Sequence, residues 1–251
     1  MNKSHGERGV RDPVSVCMAT FNGAPFVEVQ VRSILEQLGD ADELIVSDDG
    51  SSDGTPDIVL GVGDPRVRLF HNRFRSPTLN FAFALARARH DILFLSDQDD
   101  VWLPGKVDRM AAILVSGHDM AVHDCEIVDR FGKVIAASYF SLRRPVRGLC
   151  ANVLRNSYFG ACMALQRSLL AAATPFPADV PHDIWLGAVA EVFGRPIFVD
   201  EVLLRYRRHG TNVSATGERS QRSIWEKLAG RVTLVRRIAV RRWTLGGRRD
   251  G

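Results

Sequence analysis

Apolar and polar positions alternate along this chain in blocks. The run "VSVCMAT" (Val14–Thr20) is short and rich in β-branched residues, and Asn22 and Gly23 behind it mark a turn. Residues 26–38, "FVEVQVRSILEQL", then repeat apolar positions as a helix does, with Phe26, Val27, Ile34, Leu35 and Leu38 on or near one face. "ELIVSD" predicts a second strand, "VRLFH" a third and "DILFLSD" a fourth, with the Ala-rich "LNFAFALARARH" helical between the last two. Strands and helices joined by short links predict parallel β-α-β units with right-handed crossovers. Open sheets of that kind bind ligands beyond the C-terminal ends of their strands.

The polar clusters fall at those ends. "TFNG" follows the first strand, "DDGSSDGT" the second and "DQDD" the fourth. One such loop alone reads equally well as a helix cap, and Asp53 or Thr55 has that reading open. Capping does not explain three loops together. The last is the most demanding: Asp97, Asp99 and Asp100 lie within four residues at the end of an apolar run. Their mutual repulsion calls for a cation, or a chemistry, that holds them there.

Composition narrows the classes. The 251 residues are 45% hydrophobic and 25% charged, enough for one large core. No stretch approaches the ~20 apolar residues of a membrane span. Residues 1–12 start with charge but lead into no apolar segment, which predicts a disordered lead and no secretory signal. The cysteines Cys17, Cys125, Cys150 and Cys162 have no paired spacing, so reduced thiols are expected in place of disulfides or zinc.

Charge is unevenly placed. Residues 219–251 hold ten Lys and Arg against two Asp and Glu, a net of +8, while the whole chain is +4. The first 218 residues therefore sum to −4, the reverse of a nucleic-acid-binding core, and nucleic acid is not an expected partner. Within the basic segment Ile224, Leu228, Val232, Val235, Ile238, Ala239 and Trp243 recur at helical spacing. A basic amphipathic helix of this sort has three settings open to it: an anionic membrane surface, the flank of the catalytic domain, or an assembly contact.

The motifs taken in order resemble a known family. "VSVCMATFNG", "ELIVSDDGSSDGT" and "ILFLSDQDDVWLPGKV" look like the nucleotide-binding half of a family 2 glycosyltransferase, and "NSYFGACMALQRSLL", "PHDIWL" and "LLRYRRHGTNVSA" continue the likeness. Together they span residues 13–216, and "SDQDDVW", "HDIW" and "YRRHGTN" most resemble its rhamnosyltransferase-like branch. The resemblance implies an α/β glycosyltransferase A-type fold, a mostly parallel central sheet flanked by helices with a C-terminal helical extension. The motifs divide residues 13–102 (nucleotide-binding half) from 103–216 (acceptor-side half), and charge and apolar spacing set off 217–251 as a basic helical tail.

By the same resemblance the enzyme is inverting and metal-dependent, taking a dTDP- or UDP-sugar, with rhamnose or another deoxyhexose the expected sugar, to a glycan or lipid-linked glycan acceptor. It would work in the cytoplasm or on the inner face of the cytoplasmic membrane. Mg2+ or Mn2+ would offset the charge of the departing diphosphate, with Asp99 and His209 as ligands and Asp97 either a further ligand or a contact to the donor ribose. Hard cations of this kind take oxygen ligands readily. Ala19, Thr20, Phe21, Asn22 and Gln98 would line the nucleotide, and Asp48 or Asp49 would accept from the pyrimidine N3–H, the other of the pair capping a turn. Arg73, Arg75 and Arg207 are candidates for the diphosphate, and Asp100, Trp102, His182 and Trp185 for the sugars. Asp183 matches the family's general base, a role compatible with capping the helix that opens there. One departure stands out: "NRFRSPTLNFAFAL" lacks the small, Gly-containing run expected before the fourth strand. The alternative to an enzyme is a silent nucleotide-sugar-binding scaffold of the same fold.

Overall fold

A computed structural model describes residues 11–209 and 223–246. Of the expected disordered lead over residues 1–12, residues 1–10 lie outside the described residues, as do the end of the last motif at 210–215 and the start and finish of the basic segment. Arg11 is held in place by Asp42 at 2.6 Å and Asp108 at 2.9 Å, which corrects the expectation for that residue.

The predicted strands form where the apolar runs are. β1 (Val14–Thr20), β2 (Glu43–Asp48), β3 (Val67–His71) and β4 (Ile92–Ser96) pair in parallel in the order β3-β2-β1-β4. β1, β2 and β4 are buried almost throughout, as continuous apolar strands covered on both faces should be. The crossovers are α1 (Val27–Leu35), α2 (Thr55–Gly61) and α3 (Pro77–Arg87). α3 starts where Ser76 caps the Leu79 N–H and Pro77 fills the first turn.

The second half is less regular than its sequence suggested. β5 (Val101–Trp102) leads into α4 (Lys106–Val115), and β6 (Met120–Val128) carries β7 (Val134–Ala136) on its edge. Short helices α5 (Tyr139–Leu142) and α6 (Leu149–Leu154) precede a 3-10 turn at Gly160–Cys162. β8 (Met163–Gln166), α7 (Arg167–Ala173), α8 (His182–Phe193), β9 (Pro196–Arg207) and α9 (Ile224–Gly246) follow.

Among the described residues the sheet has nine strands, and it is mixed where a mostly parallel one was expected. β8 runs antiparallel to β4 and to β6, β5 antiparallel to β9, and β6 parallel to β9. The physical reason lies in where β8 starts: the 3-10 turn Gly160–Cys162 runs straight into it near the end of β4, with Ala164 beside Phe94 and Gln166 beside Ile92, so the strand runs back along β4. This antiparallel strand sets the 3-10 turn and the start of α8 beside the end of β4.

Candidate active site

Three loops meet at the C-terminal edge of the parallel strands, held together by side chains. Ser51 Oγ accepts from the Asn22 N–H, Thr55 Oγ1 from the Gly23 N–H and Asp53 Oδ2 from the Ala24 N–H, at 2.8 to 2.9 Å. Asn22, in the left-handed region at φ 50, accepts the Ser52 N–H through Oδ1. The capping residues Asp53 and Thr55 thus also stitch the second loop to the first.

The acidic pair after β2 divides its labour. Asp48 is buried and accepts four bonds, from Thr20 Oγ1, Ser51 Oγ and the N–H groups of Gly50 and Ser51. Those bonds fill both its oxygens, so the reading of Asp48 as a base contact is corrected: it caps the turn. Asp49 accepts only the Arg75 and Ser76 N–H groups, one on each oxygen, and keeps acceptor capacity. Arg75 itself sits at φ 53. The left-handed bend that a glycine would supply there is held instead by the two bonds to Asp49.

A cleft of about 470 Å3 opens beside this pair, lined by Asp48, Gly50, Ser51, His71, Asn72 and Arg73 among others. Phe21 stands exposed above the first loop, so it is not core. Gln98 grips that loop, and is a clamp rather than a free nucleotide contact: its Oε1 accepts the Phe21 N–H at 2.8 Å and its Nε2 donates to the Phe21 carbonyl at 2.9 Å. Gly23 leaves room for this amide, since a Cβ there would lie 2.3 Å from Gln98 Oε1 and push it aside.

The acidic loop is where charge accumulates. Burial, then Asp99, then Asp183 push the Asp97 carboxyl up to about 8. Burial likewise raises Asp99 and Asp100. Asp100 accepts the Arg207 N–H through Oδ1, while its Oδ2 is buried without a hydrogen-bond partner. Across 110 residues of chain, His209 Nε2 lies 2.8 Å from Asp99 Oδ2. The His209 ring stacks on Phe26 at 4.8 Å between centroids.

These residues fit a divalent cation by their chemistry. Adjacent ligands round an octahedral ion with ~2.1 Å bonds stand roughly 3 Å apart, close to the Asp99–His209 separation, and crowded carboxylates are what such an ion neutralises. Among the described residues no group of three His, Cys, Asp or Glu side chains is already arranged round one point.

Asp183 opens α8, where its Oδ1 accepts the Ile184 N–H and the helix N-terminus favours its negative charge. The 3-10 turn gives α8 its seat. A Cβ on Gly160 would fall 2.8 Å from His182 Nε2 and 3.7 Å from the Asp183 Cβ. His182 stacks on Phe81 at 4.1 Å, and burial lowers its pKa.

Four further assignments are corrected. Trp185 is buried and donates Nε1 to the Ala173 carbonyl, so it offers no face to a sugar. Trp102 is buried under the Lys106 ammonium, 4.0 Å from its ring. Asp100 points inward, as described. Arg207 is no diphosphate clamp, since its Nε donates to the Asp99 carbonyl and its Nη1 to the Arg130 carbonyl while the guanidinium lies over Phe26. Arg73 lines the cleft, and both it and Arg75 are exposed. Sequence reasoning missed Phe26, Gly160 and Asn80. Asn80 donates to the Ser47 and Thr20 carbonyls, tying α3 to the ends of β1 and β2. An Asn inside an apolar helix face was the available signal.

Comparisons with known proteins agree with this architecture. The chain is similar to the Escherichia coli UDP-Glc:alpha-D-GlcNAc-diphosphoundecaprenol beta-1,3-glucosyltransferase WfgD, 25% identical over 224 residues that cover 86% of this chain and 85% of that protein. Among solved structures, S. aureus TarS 1-349 in complex with UDP-GlcNAc superposes with a TM-score of 0.69 at 18% identity, covering 89% of this chain and 66% of that one. The mannosyltransferase PcManGT from Pyrobaculum calidifontis, in complex with GDP-Man and Mn2+, gives 0.59 at 23% identity over 82% and 59%. The chain thus spans about two thirds of the solved chains or less, and those likenesses bear on the fold, a glycosyltransferase A-type arrangement with a C-terminal helix. Residues 15–171, more than half of the chain, match the sequence model of glycosyl transferase family 2; with motif loops and fold in agreement, the chain belongs to that family of glycosyltransferases.

Proposed function

We propose that this glycosyltransferase is inverting and metal-dependent and moves a sugar from a UDP- or dTDP-linked donor to a lipid-linked glycan in cell-surface polysaccharide synthesis. The observation that carries the reading is the Asp99–His209 pair, joined across 110 residues at 2.8 Å beside Asp97. The electrostatic reach of Asp183 onto Asp97 supports one site that spans both halves.

Asp49 accepts the N3–H that uracil and thymine share, and the exposed Phe21 ring stacks on the base. Arg73, at the edge of the cleft, and Arg75 face the diphosphate side. Bound at Asp99 and His209, with Asp97 beside them, Mg2+ or Mn2+ would supply charge neutralisation for the departing diphosphate. Asp183 takes the proton of the acceptor hydroxyl as its oxygen bonds to the anomeric carbon and the bond from that carbon to the diphosphate oxygen breaks. The transition state has oxocarbenium character.

For the acceptor, the support is WfgD, whose name specifies a diphosphoundecaprenol-linked sugar. Such an acceptor places the reaction at the inner face of the cytoplasmic membrane. The donor sugar is a deoxyhexose on the strength of the "SDQDDVW", "HDIW" and "YRRHGTN" motifs, with glucose, as in the name of WfgD, the competing choice.

A donor screen by thermal shift, with and without Mn2+, tests the reading. Ligand at 100 times its dissociation constant adds ~2.7 kcal/mol of stability. Metal-dependent stabilisation by UDP or dTDP compounds, lost in Asp99→Ala, is expected. Stabilisation indifferent to metal, or none from any pyrimidine diphosphate, would bring the scaffold alternative forward.

A further inference from the structure

α9 presents two faces of different kinds. Leu234 and Ile238 are buried against the domain, and three arginines on that side are spent on protein groups. Arg231 donates to the Leu154 carbonyl, Arg241 to the carbonyls of Ala171 and Ala172, and Arg237 pairs with Asp179 at 2.7 Å. At 100° per residue the opposite side carries Trp225, Leu228, Val232, Val235, Ala239 and Trp243. Trp225 is 80% and Trp243 81% exposed, and Leu228, Val232 and Val235 are exposed too. The two tryptophans stand 18 residues apart, five whole turns, so they share one line of the helix at a separation of about 27 Å. Arg236 and Arg242 are exposed on either flank of that line. Among the described residues no helix is long and apolar enough to cross a membrane.

We propose that α9 lies flat on an anionic lipid bilayer, with the Trp225–Val232–Trp243 line sunk into the headgroup boundary and Arg236 and Arg242 meeting lipid phosphates. Aromatic residues at both ends of an apolar line with cationic borders match an interfacial helix. A second copy of the chain fits less well, because it would bring two segments of net +8 together. The domain-side ties fix the orientation. Arg237 holds Asp179, four residues before Asp183, so the membrane-bound helix sets the acceptor side of the site at one height above the lipid. The surface gives the lipid-linked acceptor reading its purpose, yet it is measured without donor or acceptor.

Full-length protein is sedimented with phosphatidylcholine vesicles and with vesicles of phosphatidylglycerol in phosphatidylcholine. Binding to the phosphatidylglycerol vesicles, at least 10-fold weaker for the double variant Trp225→Ala, Trp243→Ala, is expected. Tryptophan emission should shift to the blue on binding and be quenched by brominated lipid, a signal assignable to α9 because Trp102 and Trp185 are buried. Donor-induced thermal stabilisation in the double variant reports its fold and reads the active site separately. Absence of vesicle binding, binding that the double variant leaves intact, or a dimer that the double variant dissociates would each overturn the proposal.

Discussion

Gln98 and Phe21 are joined twice, the glutamine amide accepting the Phe21 N–H at 2.8 Å and donating to its carbonyl at 2.9 Å. The residue between two acidic side chains is thereby the fastener between the acidic loop and the nucleotide loop. Gln98→Ala removes both bonds, each worth about 1 kcal/mol net. Nucleoside diphosphate affinity should fall roughly 5- to 30-fold, and the gain in affinity from Mn2+ should shrink with it. Gln98→Glu should be no better, since a carboxylate cannot donate to the Phe21 carbonyl. Titration calorimetry with and without metal reads both quantities, and unchanged affinity in either variant would show that the loops are held otherwise.

Asp183 is a different kind of test, because its loss should leave the ground state alone. Asp183→Asn keeps the shape of the first turn of α8 and can still accept the Ile184 N–H. The loss of a general base should lower kcat by about 10^2 to 10^4, with the donor dissociation constant within a factor of two of the parent. A variant that loses donor binding in parallel with turnover would place Asp183 on the donor side.

Gly160 carries a milder prediction. A methyl group there meets His182 Nε2 at 2.8 Å, so Gly160→Ala must displace the ring that stacks on Phe81 and shift the start of α8. Overpacking of this sort costs typically about 1 to 3 kcal/mol. The variant should lower the melting temperature and reduce transfer through the acceptor, leaving thermal stabilisation by donor and metal in place.

How much of this was legible in the sequence follows the range of the interactions. β1, β2 and β3 fall on the predicted apolar runs and β4 within its run, because their pattern is local: short apolar runs between turn residues, almost wholly buried in β1, β2 and β4 and half-buried in β3. The site loops were legible for the same reason, as polar clusters at strand ends. What the letters did not separate was which carboxylate faces outward. Asp48 and Asp49 are neighbours of one type, and only the four bonds on the first and two on the second tell them apart. Trp185 likewise reads as a sugar platform until α7 supplies the Ala173 carbonyl that buries it. The antiparallel β8 was missed because pairing direction depends on the chain path through Gly160–Cys162, which no periodicity reports.

The last prediction concerns Lys106, whose ammonium is wholly buried at the start of α4. It donates to the Ala161 carbonyl at 2.8 Å and lies 4.0 Å from the centre of the Trp102 ring. Burial lowers its pKa from 10.5 to about 8, against the opposing influence of Cys162, Asp100, Cys125 and Asp97. A lysine depressed in the folded state binds its proton less well there than in the unfolded chain. Between pH 8 and 10.5 the unfolded chain holds more protons, so stability rises with pH across that window; below pH 8 both states hold the proton and the contribution is level at its lowest. The full swing is at most about 3 kcal/mol. Lys106→Met removes the titration but leaves the Ala161 carbonyl without its donor. The stability difference, parent minus variant, should be level below pH 8 and climb toward pH 10.5 in urea unfolding. Other titrating groups largely cancel in that difference. A flat difference across the window would mean that the ammonium reaches water, and with it the account of Lys106 as a cation sealed behind the acidic loop would fail.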